Sequence, residues 1–395
     1  MNYLHELDQT YKHIDAKSKR PVAQPDFSGY CKALWCDSGD FLLNNQANRL
    51  LQTLHTHFSE NAYIFDQRAE AEAALHWTLF QFQTFPVDVV ATTMKDCSDA
   101  FEIAKIIGQF PPIHVTFRGV VRTRYGLFLA GYPSWDINKL RAAFRDWGGA
   151  AIREPHPQDI CHATLLRFHS EPSEADIEAL DAIVKEWNGL LVGELRPSRW
   201  YYGYGTWLQG SGQPCLIASW PASPQHWILH RGLSAGPDAA RENSQERLLA
   251  ALADGWDVEL DIWVRDGALY LGHDWEVAEA GGPVQPFFLT FRNAWVHCKN
   301  MEALEYMLDA RRECHYFVHD SDEATLTSTG EAWCYPGKFA GRRSICVLPE
   351  RLPADAGATM IWPAAAGAGG RCQPAGVCSD YLPAHFLNVN IIQFL

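Results

Sequence analysis

The stretch ICHATLLRF (residues 160–168), read beside AALHWTLFQF (residues 73–82), decides how the first half of the chain is understood. Both contain H-x-T-L-x-x-F, begun by His76 in one copy and by His162 in the other. Apolar runs this short, free of Gly and Pro, read as strands. Successive side chains on a strand point to opposite faces, so His76, Thr78, Phe80 and Phe82 are expected on one side, as are His162, Thr164, Leu166 and Phe168. Each copy would then present an imidazole and a hydroxyl side by side above an apolar stripe. A third triplet, His114-Val115-Thr116, lacks the L-x-x-F of the other two and reads as an ordinary strand segment.

Outward from these strands lie helical patterns. LLNNQANRLLQTLHTHF carries leucines at helical spacing, and SWDINKLRAAFRDWGG opens on Ser134 as cap and closes on Gly. SEADIEALDAIVKEWNG repeats that plan, with Ser173 as N-cap and Gly189 past the end. RPSRWYYGYG (residues 196–205) reads mainly as a packed aromatic hairpin. The order predicts an α/β or α+β layer built twice, once around each H-x-T strand. Proline and small polar residues interrupt it at SWPASPQ (residues 219–225), which places domains at 1–222 and 226–395.

Composition bounds the rest. A chain of 395 residues exceeds what one core usually supports, and 47% hydrophobic with 20% charged residues excludes a disordered chain. The first residues, MNYLHELDQTYKHIDAKSKR, hold no apolar signal core, and no run reaches membrane-spanning length, so a cytoplasmic protein is expected. The 11 cysteines form no CxxC pair and several lie in apolar runs, which favours reduced, buried thiols over disulfides or zinc. A formal charge of -14 argues against a grip on long nucleic-acid duplexes, though a local basic pocket could hold a terminus or a small phosphoester.

Two imidazoles facing each other across one cleft suit hydrolysis of a cyclic phosphodiester. One takes a proton from water, the other protonates the departing ribose oxygen, and threonine hydroxyls hold the nonbridging oxygens. Histidine suits both tasks because it titrates near neutrality, and no metal is required. On these residues, His76-x-Thr78 and His162-x-Thr164, the first 220 or so positions resemble the 2H phosphoesterase superfamily. The resemblance implies a duplicated-lobe fold and action on 2',3'-cyclic nucleotides, related cyclic phosphates or 2'-5' linkages, with His76, Thr78, His162 and Thr164 as the catalytic set.

The second half begins WILHRGLSAGPDAARENSQERLLAALADGWDVELDIWVRDGALYLGHDW (residues 227–275). WILH is a short strand ending in His230-Arg231-Gly232. A helix follows, capped by Asn243 or Ser244, with Leu248, Leu249 and Leu252 on one face and a stop at Gly255. DVELDIWV is a strand with Glu259 and Asp261 on one face, and Asp266-Gly267 turns the chain back along ALYLGHD. Two carboxylates so spaced can take one hard divalent ion from the same side, while histidines at neighbouring strand ends act as acid and base. Strand, helix, strand with polar groups at the C-terminal strand ends predicts a (β/α) barrel.

The ordered motifs H-R-G, E-N-S, E-x-D and G-H-D resemble the glycerophosphodiester phosphodiesterase family in its TIM-barrel form. That resemblance implies catalytic roles for His230 and His273, a phosphate contact for Arg231, and metal binding by Glu242, Glu259 and Asp261, with Mg or Ca as the divalent ion. In WVHCKN, His297 stands where the family has a further acidic metal ligand and would serve as a histidine ligand to the metal, while Lys299 stands at its lysine position, as a phosphate ligand or a buried salt-bridge partner. Further strands are read in HYFVHD, EAWCYPGK, SICVLPE and AGVCSDYL. Here His315 is a core histidine, His319-Asp320 a strand end, and Asp380 a terminal-strand residue or a helix cap. At about 170 residues against roughly 250 for a typical barrel, the domain must be a compact TIM-barrel-like one with trimmed outer helices.

The sequence thus predicts a two-domain phosphodiesterase for a small phosphodiester or RNA-terminus substrate. Candidates are a 2',3'-cyclic nucleotide, an RNA end or an ADP-ribose cyclic phosphate, as in RNA repair. One alternative is a metal-dependent glycerophosphodiester or lipid-head phosphodiesterase with a non-catalytic N-terminal binding domain. The other is a non-catalytic nucleotide sensor.

Overall fold

The structure is a computed structural model. The residues described are 2–17, 20–23, 29–67, 73–86, 93–149, 152, 160–205, 215–310, 313–338, 341–352, 374–387 and 389–391. The fold is mixed α/β and divides into two compact units. The first comprises Met1–Ile106, Ile113–Ala222 and Asn388–Leu395, and the second Ile107–Pro112 and Ser223–Leu387. The main division falls between Ala222 and Ser223, inside the SWPASPQ stretch. Each unit also takes a short segment that a split at one position would assign to the other.

The first unit carries helices α1 (Asn2–Lys17), α2 (Asn45–Phe58), α3 (Met94–Ile107, its last residue counted with the second unit), α4 (Asn138–Gly148) and α5 (Glu174–Glu186). Its strands are β1 (Gly29–Cys36), β2 (Phe41–Leu43), β3 (Ala62–Asp66), β4 (Ala73–Ala74), β5 (Trp77–Pro86), β6 (Val115–Thr123), β7 (Gly126–Pro133), β8 (His162–Phe168), β9 (Leu191–Leu195), β10 (Arg199–Gly205) and β11 (Cys215–Pro221). They form two sheets. One runs β11-β10-β1-β5, with the short Asn390–Ile391 strand beyond β11, and the other runs β2-β9-β6-β7-β8-β3-β4. All pairings are antiparallel except β3 with β4. Each sheet therefore receives one H-x-T copy: β5 follows His76, and β8 begins at His162.

Local sequence explains the helix ends. Asn44 caps α2, accepting from the backbone of Gln46 and Ala47. Ser173 and Asp176 form a reciprocal capping box on α5. Ser134 is not the cap of α4: Asp136 accepts from Asn138 N at 3.0 Å, and the helix starts four residues after Ser134. RPSRWYYGYG is one strand, β10, rather than a hairpin. Trp200, Tyr202 and Tyr204 are buried, while Tyr201 stacks on Trp35.

The second unit holds α6 (Gln245–Ala253), α7 (Trp275–Gly281) and α8 (Met301–Ala310). Its strands are β12 (His226–Leu229), β13 (Asp257–Arg265), β14 (Ala268–Leu271), β15 (Pro283–Val284), β16 (Ala294–Cys298), β17 (His315–Val318), β18 (Ala324–Leu326), β19 (Ala332–Cys334), β20 (Ser344–Val347) and β21 (Gly376–Ser379). A parallel run β17-β16-β13-β12-β21-β20-β19 forms a curled sheet, with β14, β15 and β18 added antiparallel. The chain around β18 returns to β17, with Ser328 N donating to Tyr316 O at 2.8 Å and Thr325 Oγ1 to Val318 O at 2.9 Å.

Alternation separates the two faces of this sheet. Leu229, Val258, Leu260, Ile262, Val296, Cys298 and Val377 cluster with Leu248 and Leu252 of α6 and Met307 of α8. Ile228, Trp295, Phe317, Trp333, Ile345 and Cys378 form a separate cluster on the other face. Leu249 lies off the buried stripe of α6, since it is exposed where Leu248 and Leu252 are not. At the β13–β14 turn, Asp266 and Gly267 both adopt positive φ (52° and 74°), the backbone of a tight I′ hairpin. Among the described residues ten cysteines are free, eight of them buried. No helix of these residues is long and apolar enough to cross a membrane.

Candidate functional site

In the first unit, β5 and β8 approach each other and bring the two H-x-T copies together. His76 and His162 lie near enough for the charge of one to act on the other, and Arg167 acts on both. Burial is the main influence on each imidazole. It lowers His76 to about 4 and, with the added charges of Arg167 and Arg141, lowers His162 to about 3. The rings keep some solvent access although protein surrounds them densely. His76 Nδ1 donates to Ala74 O at 2.9 Å, which leaves Nε2 with the lone pair a base needs. His162 packs against Phe128 with ring centroids 5.0 Å apart.

Strict alternation does not hold along either strand. The β7–β8 register slips between Leu127 and Phe128, so Thr164 pairs with Phe128 while Leu166 pairs with Leu127. Leu165 is the extra residue of a bulge. Beyond it the faces exchange: Leu166 and Phe168 are buried, and Arg167 takes the half-buried row of His162 and Thr164. Arg167 Nη2 lies 3.5 Å from Thr164 Oγ1. Along β5, two register shifts opposite β1 likewise put Gln81 and Gln83 in the half-buried row of Thr78. Phe80 and Phe82 are buried against Phe144. The expected apolar stripe beneath each His–Thr pair is thus replaced by polar side chains.

Arg141 of α4 joins the two strands from below. Its buried guanidinium donates from Nε to Leu79 O at 3.1 Å, from Nη2 to Ile160 O at 2.9 Å and from Nη1 to Asn138 Oδ1 at 3.0 Å. One side chain therefore fixes the backbone just after Thr78 and just before His162. His114, of the third triplet, precedes β6 in the seven-stranded sheet.

In the second unit, parallel strands deliver their polar groups to one end. Asp261 on β13 faces His297 on β16 in register. His297 Nδ1 lies 2.8 Å from Asp261 Oδ1, and Glu259, Asp261 and His297 offer ligand atoms within 4.8 Å of one another. The buried carboxylates are compensated by protein donors. Arg231 N donates to Glu259 Oε2 at 2.9 Å, and Arg231 Nε lies 3.1 Å from Asp261 Oδ2. Asn243 Nδ2 donates to the same Oδ2 at 2.9 Å, its Oδ1 accepts from Asp261 N at 3.0 Å, and Lys299 Nζ stands 3.8 Å from Oδ1. Burial is the largest influence on both acids. Glu259 titrates high, through burial and the Asp261 charge; Asp261 titrates low, because the His297 hydrogen bond and nearby cations outweigh its burial.

His230 follows β12, and its Nδ1 hydrogen-bonds to Asp380 Oδ1 at 2.7 Å. Glu350 holds that carboxylate's chain, accepting from Asp380 N at 2.8 Å and Ser379 Oγ at 3.0 Å. Burial disfavours a charged His230, yet the Asp380 hydrogen bond and the Glu259 charge prevail and raise its titration above the ordinary histidine value. Arg231 and Asn243 both have positive φ (52° and 54°), and Asn243 N donates to Arg231 O at 3.0 Å. Each such backbone costs about 1–2 kcal/mol, held here by the cluster itself.

Of the residues expected here, His230, Arg231, Glu259, Asp261, His297 and Lys299 come together. Glu242 does not join the carboxylates, because its Oε2 accepts from Arg231 Nη1 at 3.0 Å. His273 is half-buried and tied to Asp274, with Nδ1 to Oδ1 at 2.9 Å. His315 stacks on Trp295 at 3.7 Å, as a packed core histidine does. Asn243 and Glu350 had not been expected as site residues; the E-N-S motif contained the first, while the second becomes visible only through cross-strand pairing.

No family model and no curated protein matches the chain. Among solved structures it is similar to a conserved protein of unknown function from Agrobacterium tumefaciens, at 13% identity over 50% of this chain and 89% of that one, with a TM-score of 0.30.

Proposed function

We propose that the protein is a phosphodiesterase whose first unit, built as a duplicated 2H-type fold, hydrolyses cyclic phosphates with His76 and His162 and no metal. The observation that carries this reading is the pairing of two imidazoles, one per sheet, flanked by Thr78, Thr164 and Arg167. His76 Nδ1 donates to Ala74 O, so the lone pair of the neutral ring lies on Nε2, the atom suited to take the proton of attacking water. His162 would then protonate the departing oxygen. Both imidazoles are held neutral before substrate binds, so the anionic substrate itself must raise the one that acts as acid. Arg167 supplies the fixed positive charge for the nonbridging oxygens, with the threonine hydroxyls beside it. A 2',3'-cyclic nucleotide, an RNA end or an ADP-ribose cyclic phosphate fits these requirements.

The second unit, on this proposal a compact TIM-barrel-like domain, acts on an open diester with a neighbouring hydroxyl. The His230–Asp380 pair supplies its proton transfer and Arg231 its phosphate contact. Free cysteines are consistent with a cytoplasmic setting, which belongs to the same proposal. The test is turnover of 2',3'-cyclic nucleotides in EDTA. His76→Ala and His162→Ala should each lower it by about 10²–10⁴-fold. Wild-type rates in either variant would sink the proposal and favour a binding role for the first unit.

A further inference from the structure

The partners of His297 bear on whether the second unit's cluster holds a metal. Its Nδ1 faces Asp261 Oδ1 at 2.8 Å, and its Nε2 faces the backbone carbonyl of His319 at 3.1 Å. A backbone carbonyl only accepts. Asn243, oriented by the Asp261 N–H, donates from Nδ2 to Asp261 Oδ2, which occupies the second oxygen of that carboxylate. Both ring nitrogens of His297 are thus already turned to protein oxygens. The ring also lies parallel to Phe317, with centroids 5.0 Å apart and planes 11° apart, which holds its orientation.

We infer that the Glu259–Asp261–His297 cluster is a metal-free site, in which Arg231 and Lys299 supply the positive charge that a divalent ion would bring. Three of its four carboxylate oxygens have a protein nitrogen within 3.1 Å, and the fourth, Glu259 Oε1, faces His297 Nδ1 at 4.0 Å. A hard divalent ion takes about six to eight oxygen ligands, so one uncommitted oxygen beside Arg231 and Lys299 is a poor host.

The test is titration of EDTA-treated full-length protein with Mn2+, following free ion by EPR, for wild type, Glu259→Gln and His297→Glu. Wild type and Glu259→Gln should titrate alike. Weak Mn2+ binding shared by both lies elsewhere on this acidic chain and agrees with the inference. His297→Glu, which replaces the imidazole with a carboxylate, should bind at least roughly ten-fold more tightly than wild type. One stoichiometric Mn2+ on wild type that Glu259→Gln loses would overturn the inference. So would a folded His297→Glu that binds no better than wild type. If His297→Glu does not fold, the comparison of wild type with Glu259→Gln decides.

Discussion

His76 and His162 differ from an ordinary histidine because protein surrounds them while neighbouring positive charge adds to the effect at His162. The sign of the pH dependence follows. A reaction needing one neutral and one protonated imidazole finds its free-enzyme optimum between about 3 and about 4, so kcat/KM for a cyclic nucleotide should fall as pH rises above about 4. The kcat profile should lie at higher pH, because bound phosphate favours the protonated form. Steady-state rates across pH 4 to 8 check both. Stability has a related sign: two imidazoles neutral in the fold but protonated when unfolded stabilise the native state most above about 6.5, and that contribution is lost as pH falls toward their folded values. Arg167 was present in the sequence as the R of T-L-L-R, but alternation assigned it to the wrong face. A bulge at Leu165 corrects this.

Pairs of elements are held in place by single side chains. Arg141 of α4 binds carbonyls on both H-x-T segments, so Arg141→Met would leave two acceptors without that donor in a buried setting. The expected result is a loss of about 2–5 kcal/mol in urea unfolding. At permissive temperature kcat should fall more than KM rises, since the imidazoles shift while the phosphate contacts remain; Arg141→Lys should recover only part of both. In the second unit, Arg231 and Asn243 have the same role between the β12–α6 connection and β13. Their left-handed backbones aim an N–H at Glu259 and an amide at Asp261. Caps and turns at this scale were readable where chemistry is local, as at Ser173 and Asp266-Gly267. Ser134 misled because Asp136, two residues on, is the better acceptor for the first turn.

The chain as a whole is threaded so that neither unit is one continuous stretch. Asn390–Ile391 pairs with β11 through Ala218 and Ser219, inside the first unit. A fragment ending at residue 222 would uncover that edge. Such a fragment should melt lower than the full chain or associate through β11, which thermal melts with sedimentation velocity would show; a monomer of unchanged melting temperature would show the terminal strand to be dispensable. The second unit's parallel run explains why its motifs read in order along the sequence. Parallel strands end on the same side, so H-R-G, E-x-D, H-C-K and S-D meet although residues far apart supply them.

By itself the sequence determined the strands that carry His162, Glu259 and Asp261, the strand that follows His76, the helices between them, the Asp-Gly hairpin, and the site of the main division near Ser219–Gln225. These are set by side-chain periodicity and by backbone preferences of neighbouring residues, which act over a few positions. Only the tertiary structure decided that Arg167 joins the histidines, that Phe80, Leu166 and Phe168 turn into the core, that Glu242 binds Arg231, that His273 turns to Asp274, and that Asp380 holds His230. Bulges, left-handed residues and cross-strand partners depend on the register of segments distant in sequence, and no local pattern encodes that register.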